Sequence, residues 1–287
     1  MPLPVHSEVR PRLISHLIYT VLLRTLLIRP GGIGDCILSF PAMEAMAAGE
    51  TEVWISGLVV SLVRFASRVR SLSSTGIDLL GLPDVEPPPP TIDALSRFHS
   101  IVSWYGTNRP EFRDAVARLG LPFRFLDALP PGHSTTHAAD FYLRQAGRAG
   151  TAVPRIACER SRGDDYAVIH PFSGSPRKNW PLHRFRELAH RLNMPVRWCA
   201  GPEEELADAL RFDDLYELAK WLASARLYVG NDSGITHLAA AAGAPVIAVF
   251  GPTDPAVWGP RGERVHVISQ PGAWPEVDEV AARAIML

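Results

Sequence analysis

The chain has 287 residues, enough for two α/β domains that each bury their own core, or for one large domain. Hydrophobic residues make up 47% and charged residues 21%, and the formal net charge of -1 argues against a broad basic surface for nucleic acid. The three cysteines show no CxxC spacing and the ten histidines no HExxH spacing. The sequence therefore predicts neither a zinc site nor a disulfide framework, and it fits a reducing cytosol.

The first feature in chain order is an apolar run at residues 13–23. His16 interrupts the run, Arg24 ends it, and no small-x-small cleavage site follows, so it does not match a signal peptide. It is also shorter than the roughly 20 apolar residues that a membrane-spanning helix needs. We predict an N-terminal extension over residues 1–24, which forms an extra helix, a poorly ordered tail, or a segment that lies in a membrane interface.

A first domain is predicted over residues 25–155, because short apolar runs alternate there with stretches of helical spacing. Such alternation predicts a parallel, doubly wound sheet. Four consecutive prolines at residues 87–90 predict an extended surface loop, and residues 130–136 are similarly loop-like. The predicted strands are residues 25–29, 52–55 and 101–104, and the first helix spans residues 35–48.

The same pattern restarts after a segment rich in Gly, Arg, Ser and Pro between residues 147 and 165, and we predict a second domain over residues 156–287. Two Rossmann-like halves with a cleft between them place ligands at the carboxyl ends of their strands. The predicted strands are residues 166–170, 196–200, 227–230 and 245–250, and the predicted helices are residues 182–192, 203–210, 215–224, 235–242 and 276–285.

The glycine turn at residues 31–34 follows the first predicted strand. A P-loop would need a Lys-Ser/Thr pair here, and a dinucleotide site would need an acidic residue at the end of the second strand, where Ile55 is followed by Ser56 and Gly57. What remains is a turn that places Asp35 at the mouth of the cleft, where a carboxylate could accept the proton of an attacking hydroxyl. Alternatively, Asp35 only caps the helix that follows.

Residues 231–239 lie between a predicted strand and an alanine-rich helix, so backbone N–H groups at this helix start can face an anion. Ser233 and Thr236 add hydroxyl donors. The simpler alternative is a well-capped helix, with Asp232 or Ser233 as the cap and His237 in a structural role.

Residues 170–181 join the first strand and first helix of the second half. Pro181 suits the first turn of that helix. Lys178 then lies close enough to the helix start to reach a diphosphate, where a cation offsets the charge of a leaving nucleotide. A solvated loop lysine is the alternative.

Three segments in this order resemble glycosyltransferase family nine, the ADP-heptose:lipopolysaccharide heptosyltransferases: residues 28–46, 169–188 and 228–260. The resemblance implies a GT-B fold and the inverting transfer of heptose from an ADP-linked donor to a hydroxyl of a cell-envelope glycan or glycolipid, such as the lipopolysaccharide core. It implies no metal, no other cofactor and no nucleic-acid partner. The expected location is cytoplasmic, with peripheral contact to the inner membrane as an option.

The resemblance also implies residue roles. Asp35 is similar to the family's general base and Lys178 to its phosphate-binding, charge-neutralising lysine. Glu203 is similar to the acidic residue that binds the donor ribose, with Glu204 as an alternate register. The donor-binding residues that it implies are Gly32, Gly34, Ser173, Lys178, Glu203, Asp232, Ser233, Gly234, Ile235, Thr236 and His237.

The chain departs from the family in one place that matters for the donor. Only about ten residues separate Glu203 from Leu215, where another strand and helix are expected, so the base pocket is the part that the resemblance does not define. The middle of the first half, which should hold the acceptor, matches no motif. Two other functions stay open: a non-catalytic module that binds a sugar nucleotide, and a GT-B enzyme that epimerises or hydrolyses one.

Overall fold

A computed structural model describes residues 23–159 and 165–286 of the chain. The predicted extension over residues 1–24 therefore lies almost entirely outside the described residues. Among the helices of the described part, none is both long enough and apolar enough to cross a bilayer.

The first sheet consists of five parallel strands in the order β3-β2-β1-β4-β5. The central strand β1 is apolar because helices cover both faces, and its Leu26, Leu27 and Ile28 are fully buried. The elements are β1 (Arg24–Arg29), α1 (Ile33–Met46), β2 (Glu50–Ile55), β3 (Arg68–Ser71), α2 (Pro89–Leu95), β4 (Ser100–Ser103), α3 (Pro110–Arg118), β5 (Phe123–Phe125) and α4 (Ala138–Gln145).

The second sheet repeats the design with five parallel strands in the order β10-β9-β8-β6-β7. This confirms the predicted α/β architecture of two doubly wound sheets, and the domain boundary at residues 155 and 156 stays a prediction. The elements are β6 (Ala167–His170), α5 (Leu182–Arg191), β7 (Val196–Trp198), α6 (Leu215–Ser224), β8 (Leu227–Asn231), α7 (Gly234–Ala241), β9 (Val246–Phe250), α8 (Pro255–Trp258), β10 (Val265–Ser269) and α9 (Val277–Ile285).

The proline run was only partly predicted correctly. Helix α2 begins at Pro89, so the last two of the four prolines belong to its first turn rather than to a loop. A proline ring fixes φ near its helical value, and the N–H that it lacks would have no partner in a first turn. Prolines at these positions are therefore compatible with a helix.

The prediction of a helix over residues 203–210 was wrong, because the segment forms turns. Asp208 has a φ of 59°, which a helix does not allow. The Arg211 guanidinium donates to four backbone carbonyls, those of Gly201, Glu204, Leu206 and Ala209. These hydrogen bonds help to hold the segment in turns.

Helices α1 and α7 meet at their N-terminal ends, one from each sheet. A Cβ atom added to Gly234 would lie 2.6 Å from the Cβ atom of Ile33 and 3.1 Å from the backbone nitrogen of Gly34. A Cβ atom added to Gly34 would lie 3.0 Å from Cδ2 of His237. Only glycine at these two positions lets the two helix ends come this close.

A shared apolar core joins the two halves beside this contact. A 3-10 helix at Gly57–Leu62, which follows β2, buries Val59 and Leu62 in one cluster with Leu218 and Leu222 of α6. Interfaces of this apolar kind restrict relative domain motion.

Polar contacts hold the opposite side of the interface. The His137 Nε2 atom lies 2.8 Å from the Gly259 carbonyl, and the Arg261 guanidinium donates to both Asp140 carboxylate oxygens at 2.6 and 2.8 Å. His137 caps α4 through Nδ1, which accepts from the Ala139 N–H, so Nε2 carries the proton and donates to Gly259. The relative position of the two sheets is thus fixed on both sides of α1.

We expect Gly234→Ala to lower the free energy of unfolding by about 1–3 kcal/mol, because the new methyl group overlaps the Ile33 side chain in a packed interface. Chemical denaturation measures the change. Gly132→Ala is the matched control, since its Cβ atom would meet nothing within 4 Å. Equal stability of the two variants would contradict the tight contact between α1 and α7.

Candidate active site

A cleft of about 1150 Å³ lies between the carboxyl ends of the two sheets. Each sheet reverses its strand order there, between β1 and β4 in the first and between β6 and β8 in the second, and such points are where doubly wound sheets bind ligands. From the first half, the lining residues include Gly32, Ile33, Gly34, Asp35, Leu38 and Leu58.

The strand order of the second sheet determines how its lining residues are arranged along the cleft. Thr253 and Trp258 follow β9 at one end, the residues of the β8–α7 turn and the β6–α5 loop lie in the middle, and residues 199–204 follow β7 at the other end. Phe212, which precedes α6, and Leu215 and Leu218 of α6 add apolar side chains to the β7 end, where Asp213 also lines the cleft.

Asp35 lies in a position that is compatible with both interpretations made from the sequence. It lines the cleft, and its Oδ2 atom accepts a hydrogen bond of 3.1 Å from the Gly32 N–H, so it also caps the start of α1. The buried Arg29 guanidinium fixes this turn from behind, because it donates to the Asp35 carbonyl at 3.0 Å and to the Ser39 hydroxyl at 3.1 Å. The carboxylate is thus held in a defined position.

The turn between β8 and α7 is held by hydroxyl groups. Ser233 caps α7 by accepting a hydrogen bond from the Thr236 N–H, as predicted for a helix cap. The Thr236 side chain is fully buried and donates to the Asn231 carbonyl at 2.5 Å. Thr236 therefore supports the turn from inside and does not line the cleft, unlike its neighbours on both sides.

Lys178 forms an ion pair across the middle of the cleft. Its Nζ atom lies 3.1 Å from Oδ2 of Asp232, and the same oxygen accepts a hydrogen bond of 2.8 Å from the Thr253 hydroxyl. The Asp232 carboxylate is almost buried, whereas the lysine side chain is 29% exposed. The lysine is therefore a positioned cation with a face toward the cleft, and the solvated-lysine interpretation does not apply.

Ser173 and Asn231 hold the loop that carries Lys178. The Ser173 hydroxyl lies 2.7 Å from both the Ser175 carbonyl and Oδ1 of Asn179, so this predicted ligand residue is engaged within its own loop. The buried Asn231 side chain accepts from the Trp180 N–H and donates to the Pro171 carbonyl, both at 2.8 Å. The β6 and β8 loops thus form one rigid unit.

The two glutamates at the β7 end have different surroundings. Glu204 accepts from the Gly201 N–H at 2.6 Å and pairs with Nε2 of the buried His170 at 3.1 Å. Burial raises the pKa of Glu204, but the hydrogen bonds from His170 and Gly201 outweigh it and hold that pKa below its ordinary value. Glu203 is exposed and lines the cleft. Of the two registers left open, the geometry favours Glu203 as the one available to a ligand.

His237 lies beside Asp35 and Asp232 at the start of α7 and is buried. Burial lowers the pKa of His237 well below its ordinary value, and the neighbouring Asp232 carboxylate offsets only part of this effect. The imidazole is therefore neutral at neutral pH.

Several residues of the cleft were not predicted from the sequence. Leu58, Phe212 and Trp258 are apolar residues that resemble core residues in the sequence, and Arg29 and Asn231 act from behind the cleft surface. Within the described residues, no group of three His, Cys, Asp or Glu side chains could hold a metal ion. That the reaction needs no metal stays a prediction.

A family model and curated relatives match part of the chain. The model of Glycosyltransferase family 9 (heptosyltransferase) matches residues 133–283, more than half of the chain. Lipopolysaccharide heptosyltransferase 1 of Salmonella typhimurium is 33% identical over 131 residues, which are 40% of this chain and 41% of the relative. The chain thus matches about two fifths of the length of that curated relative.

Solved structures match nearly the whole fold. E. coli heptosyltransferase WaaC with ADP superposes with a TM-score of 0.63 at 19% identity, over 92% of this chain and 98% of that one. A family 9 glycosyl transferase from Veillonella parvula superposes with a TM-score of 0.69 at 18% identity, over 92% and 96%. The predicted GT-B fold is confirmed.

Stability should fall as the pH is lowered below about 6.5, the ordinary pKa of histidine. Burial lowers the pKa of both His237 and His137 in the folded chain, so the unfolded chain binds more protons over this range. Their contribution is complete above the unfolded pKa and is lost as the pH falls toward the folded one. Melting temperatures measured from about pH 7 to pH 5 should fall less steeply in His237→Asn than in the parent chain. An identical slope would contradict the neutral state of His237.

Proposed function

The chain belongs to glycosyltransferase family 9, and from this membership we propose that it is an inverting glycosyltransferase. In this proposal it moves heptose from an ADP-linked donor to a hydroxyl of a cell-envelope glycan, such as the lipopolysaccharide core. The observation that carries the proposal is one cleft in which the Asp35 carboxylate of the first half lies beside His237 and the Lys178–Asp232 pair of the second.

The middle of the cleft suits a diphosphate. The first N–H groups of α7 have no partner within the helix, and the helix dipole gives this end a partial positive charge. Lys178 adds a full positive charge with an exposed face. A diphosphate would compete with Asp232 for this lysine, so the ion pair holds Lys178 in place until the donor arrives. The solved relatives named with ADP support this choice of ligand.

Asp35 has the position that the attacking side needs. In an inverting transfer, the acceptor oxygen attacks the anomeric carbon from one face while the bond to the diphosphate oxygen breaks on the other. Asp35 accepts the proton of that hydroxyl, and the electron pair of the broken bond leaves with the diphosphate. Lys178 and the start of α7 stabilise the negative charge that develops on the leaving group. These groups supply the positive charge without a metal ion.

We expect Asp35→Asn to reduce transfer about a hundredfold or more, since it removes the general base. The asparagine can still accept from the Gly32 N–H and keep the helix cap. Binding of ADP, measured by calorimetry, should therefore remain within about twofold of the parent value, while sugar transfer to a cell-envelope acceptor is lost.

Asp114→Asn is the control, because Asp114 is an exposed carboxylate of α3 outside the cleft lining. Full transfer by Asp35→Asn would remove Asp35 from the mechanism. Binding of ADP without transfer in the parent chain would favour the alternative of a non-catalytic sugar-nucleotide-binding module. Nucleotide release that does not depend on an acceptor would favour hydrolysis or epimerisation.

Substitutions of the two glutamates in the turn after β7 should have different effects on ADP binding and on the melting temperature. We expect Glu203→Gln to weaken ADP binding about tenfold without a change in melting temperature, because its exposed carboxylate is available to the ribose hydroxyls. Glu204→Gln should lower the melting temperature, because it weakens the bonds to His170 and Gly201. Glu205→Gln, another exposed glutamate, is the control for Glu203. The reverse pattern would move the ribose contact to Glu204.

A further inference from the structure

Arg29 is a cation buried in the first half. It is the last residue of β1, at the cleft end of the sheet, and it is 1% exposed. In the described part of the chain, no Asp or Glu carboxylate forms an ion pair with its guanidinium, which donates to neutral oxygen atoms instead. Removing a charge from water is costly when no opposite charge accompanies it. Fold stability alone therefore does not explain an arginine at this position.

Two titratable groups close to the guanidinium, the Tyr142 phenol and the Cys36 thiol, are neutral near pH 7. Burial raises the pKa of Tyr142 to about 12 and the pKa of Cys36 to about 11. The positive charge of Arg29 acts against burial in both cases but does not overcome it. Neither group therefore supplies the guanidinium with an anionic partner.

Two aromatic rings surround the Arg29 guanidinium. Its central carbon lies 4.7 Å from the centre of the Tyr142 ring and 5.7 Å from that of the Trp104 ring, within the range of a cation–π attraction. Hydrogen bonds hold the polar ends of both rings. The Trp104 Nε1 atom donates to the Gln145 side chain at 2.8 Å. The Tyr142 hydroxyl donates to the Ala128 carbonyl at 3.0 Å. The two rings thus confine the guanidinium to one orientation.

The guanidinium joins α1 to the segment that follows β5. Its Nη2 atom donates to the Asp35 carbonyl at 3.0 Å, and its Nε atom donates to the Ser39 hydroxyl at 3.1 Å, both in α1. Its Nη1 atom donates to the Ala128 carbonyl at 3.3 Å, and the Tyr142 hydroxyl holds that same carbonyl in place. Arg29 therefore ties the first turn of α1 to a fixed part of the first half.

The three groups that accept from Arg29 have other hydrogen-bonding partners. The Asp35 carbonyl lies in α1, where it also accepts from the backbone N–H four residues later. The Ser39 hydroxyl donates to the Cys36 carbonyl at 2.7 Å. The Ala128 carbonyl keeps the Tyr142 hydroxyl as a donor. Arg29→Met would therefore leave none of these groups unpaired, and what it would remove is the tie between α1 and the segment after β5.

We propose that Arg29 is a positioning residue for the transfer reaction, because it holds the first turn of α1 so that the Asp35 carboxylate can accept the proton of the attacking hydroxyl. This inference rests on the proposed function, since it takes Asp35 to be the general base. Arg29 itself touches none of the reacting atoms. Positioning of this kind matters because a displacement of about 1 Å at a catalytic group can reduce a rate about a hundredfold. The buried charge then serves activity rather than stability.

The test measures kcat for sugar transfer, ADP binding and the melting temperature of the full chain. Arg29→Met keeps a similar length without the charge, and we expect kcat to fall about tenfold to a hundredfold. ADP binding should stay within about twofold of the parent value, and the melting temperature should stay equal or rise, because an unpaired buried charge is removed. Arg29→Lys keeps the charge but lacks the planar fork, so it should recover kcat only in part.

Arg197→Met is the matched control for loss of an arginine that lies over a ring. Arg197 lies 4.3 Å from the centre of the Tyr166 ring, but it is exposed and outside the cleft lining, so this variant should keep the parent kcat. A double variant tests whether Arg29 acts through Asp35. Arg29→Met combined with Asp35→Asn should be no slower than Asp35→Asn alone. A further loss in the double variant would overturn the inference.

A parent-like kcat in Arg29→Met would overturn the inference and leave the proposed function intact. A large fall in melting temperature together with loss of ADP binding would also overturn it, because Arg29 would then support the fold as a whole. A parent chain that transfers no sugar would overturn the proposed function, and the positioning by Arg29 with it.

Discussion

The close contact between Gly34 and Gly234 is the constraint on which the site depends. It brings the N-terminal ends of α1 and α7 together, and both ends carry a partial positive charge. Two such ends repel each other in the absence of an anion. The carboxylates of Asp35 and Asp232 lie at these ends and offset the repulsion. The two helix ends therefore form a local site for negative charge in the middle of the cleft, beside Lys178.

The order of the main elements was predictable because the central strands have a strong sequence pattern. Residues 26–28 and 245–250 are continuously apolar, and a proline or glycine follows soon after each run, as is typical of buried parallel strands. The strands β3, β5 and β10 were not predicted, since they lie away from the sheet centres and carry arginine, histidine or serine on exposed faces. For these edge strands, pairing with a neighbour decides the structure.

The candidate site was predictable to the extent that its chemistry uses charged residues in loops. Asp35, Lys178, Asp232 and His237 lie in one cleft as the three motifs indicated. Thr236, Ser173 and Glu204 are polar residues of the same motifs or of the turn after β7, yet their side chains hydrogen-bond within the protein. A sequence pattern cannot distinguish such hydrogen bonds from contacts with a ligand. Leu58 and Phe212 could not be predicted, because apolar residues carry no local mark that separates a ligand wall from a core.

The shared core of Val59, Leu62, Leu218 and Leu222 has a consequence for how the chain can vary. Each half covers apolar surface of the other, so a fragment containing either half alone would expose that apolar surface to solvent. Exchange of the first half for that of a relative would alter the packing around α6 and the cleft lining at Leu58 at once.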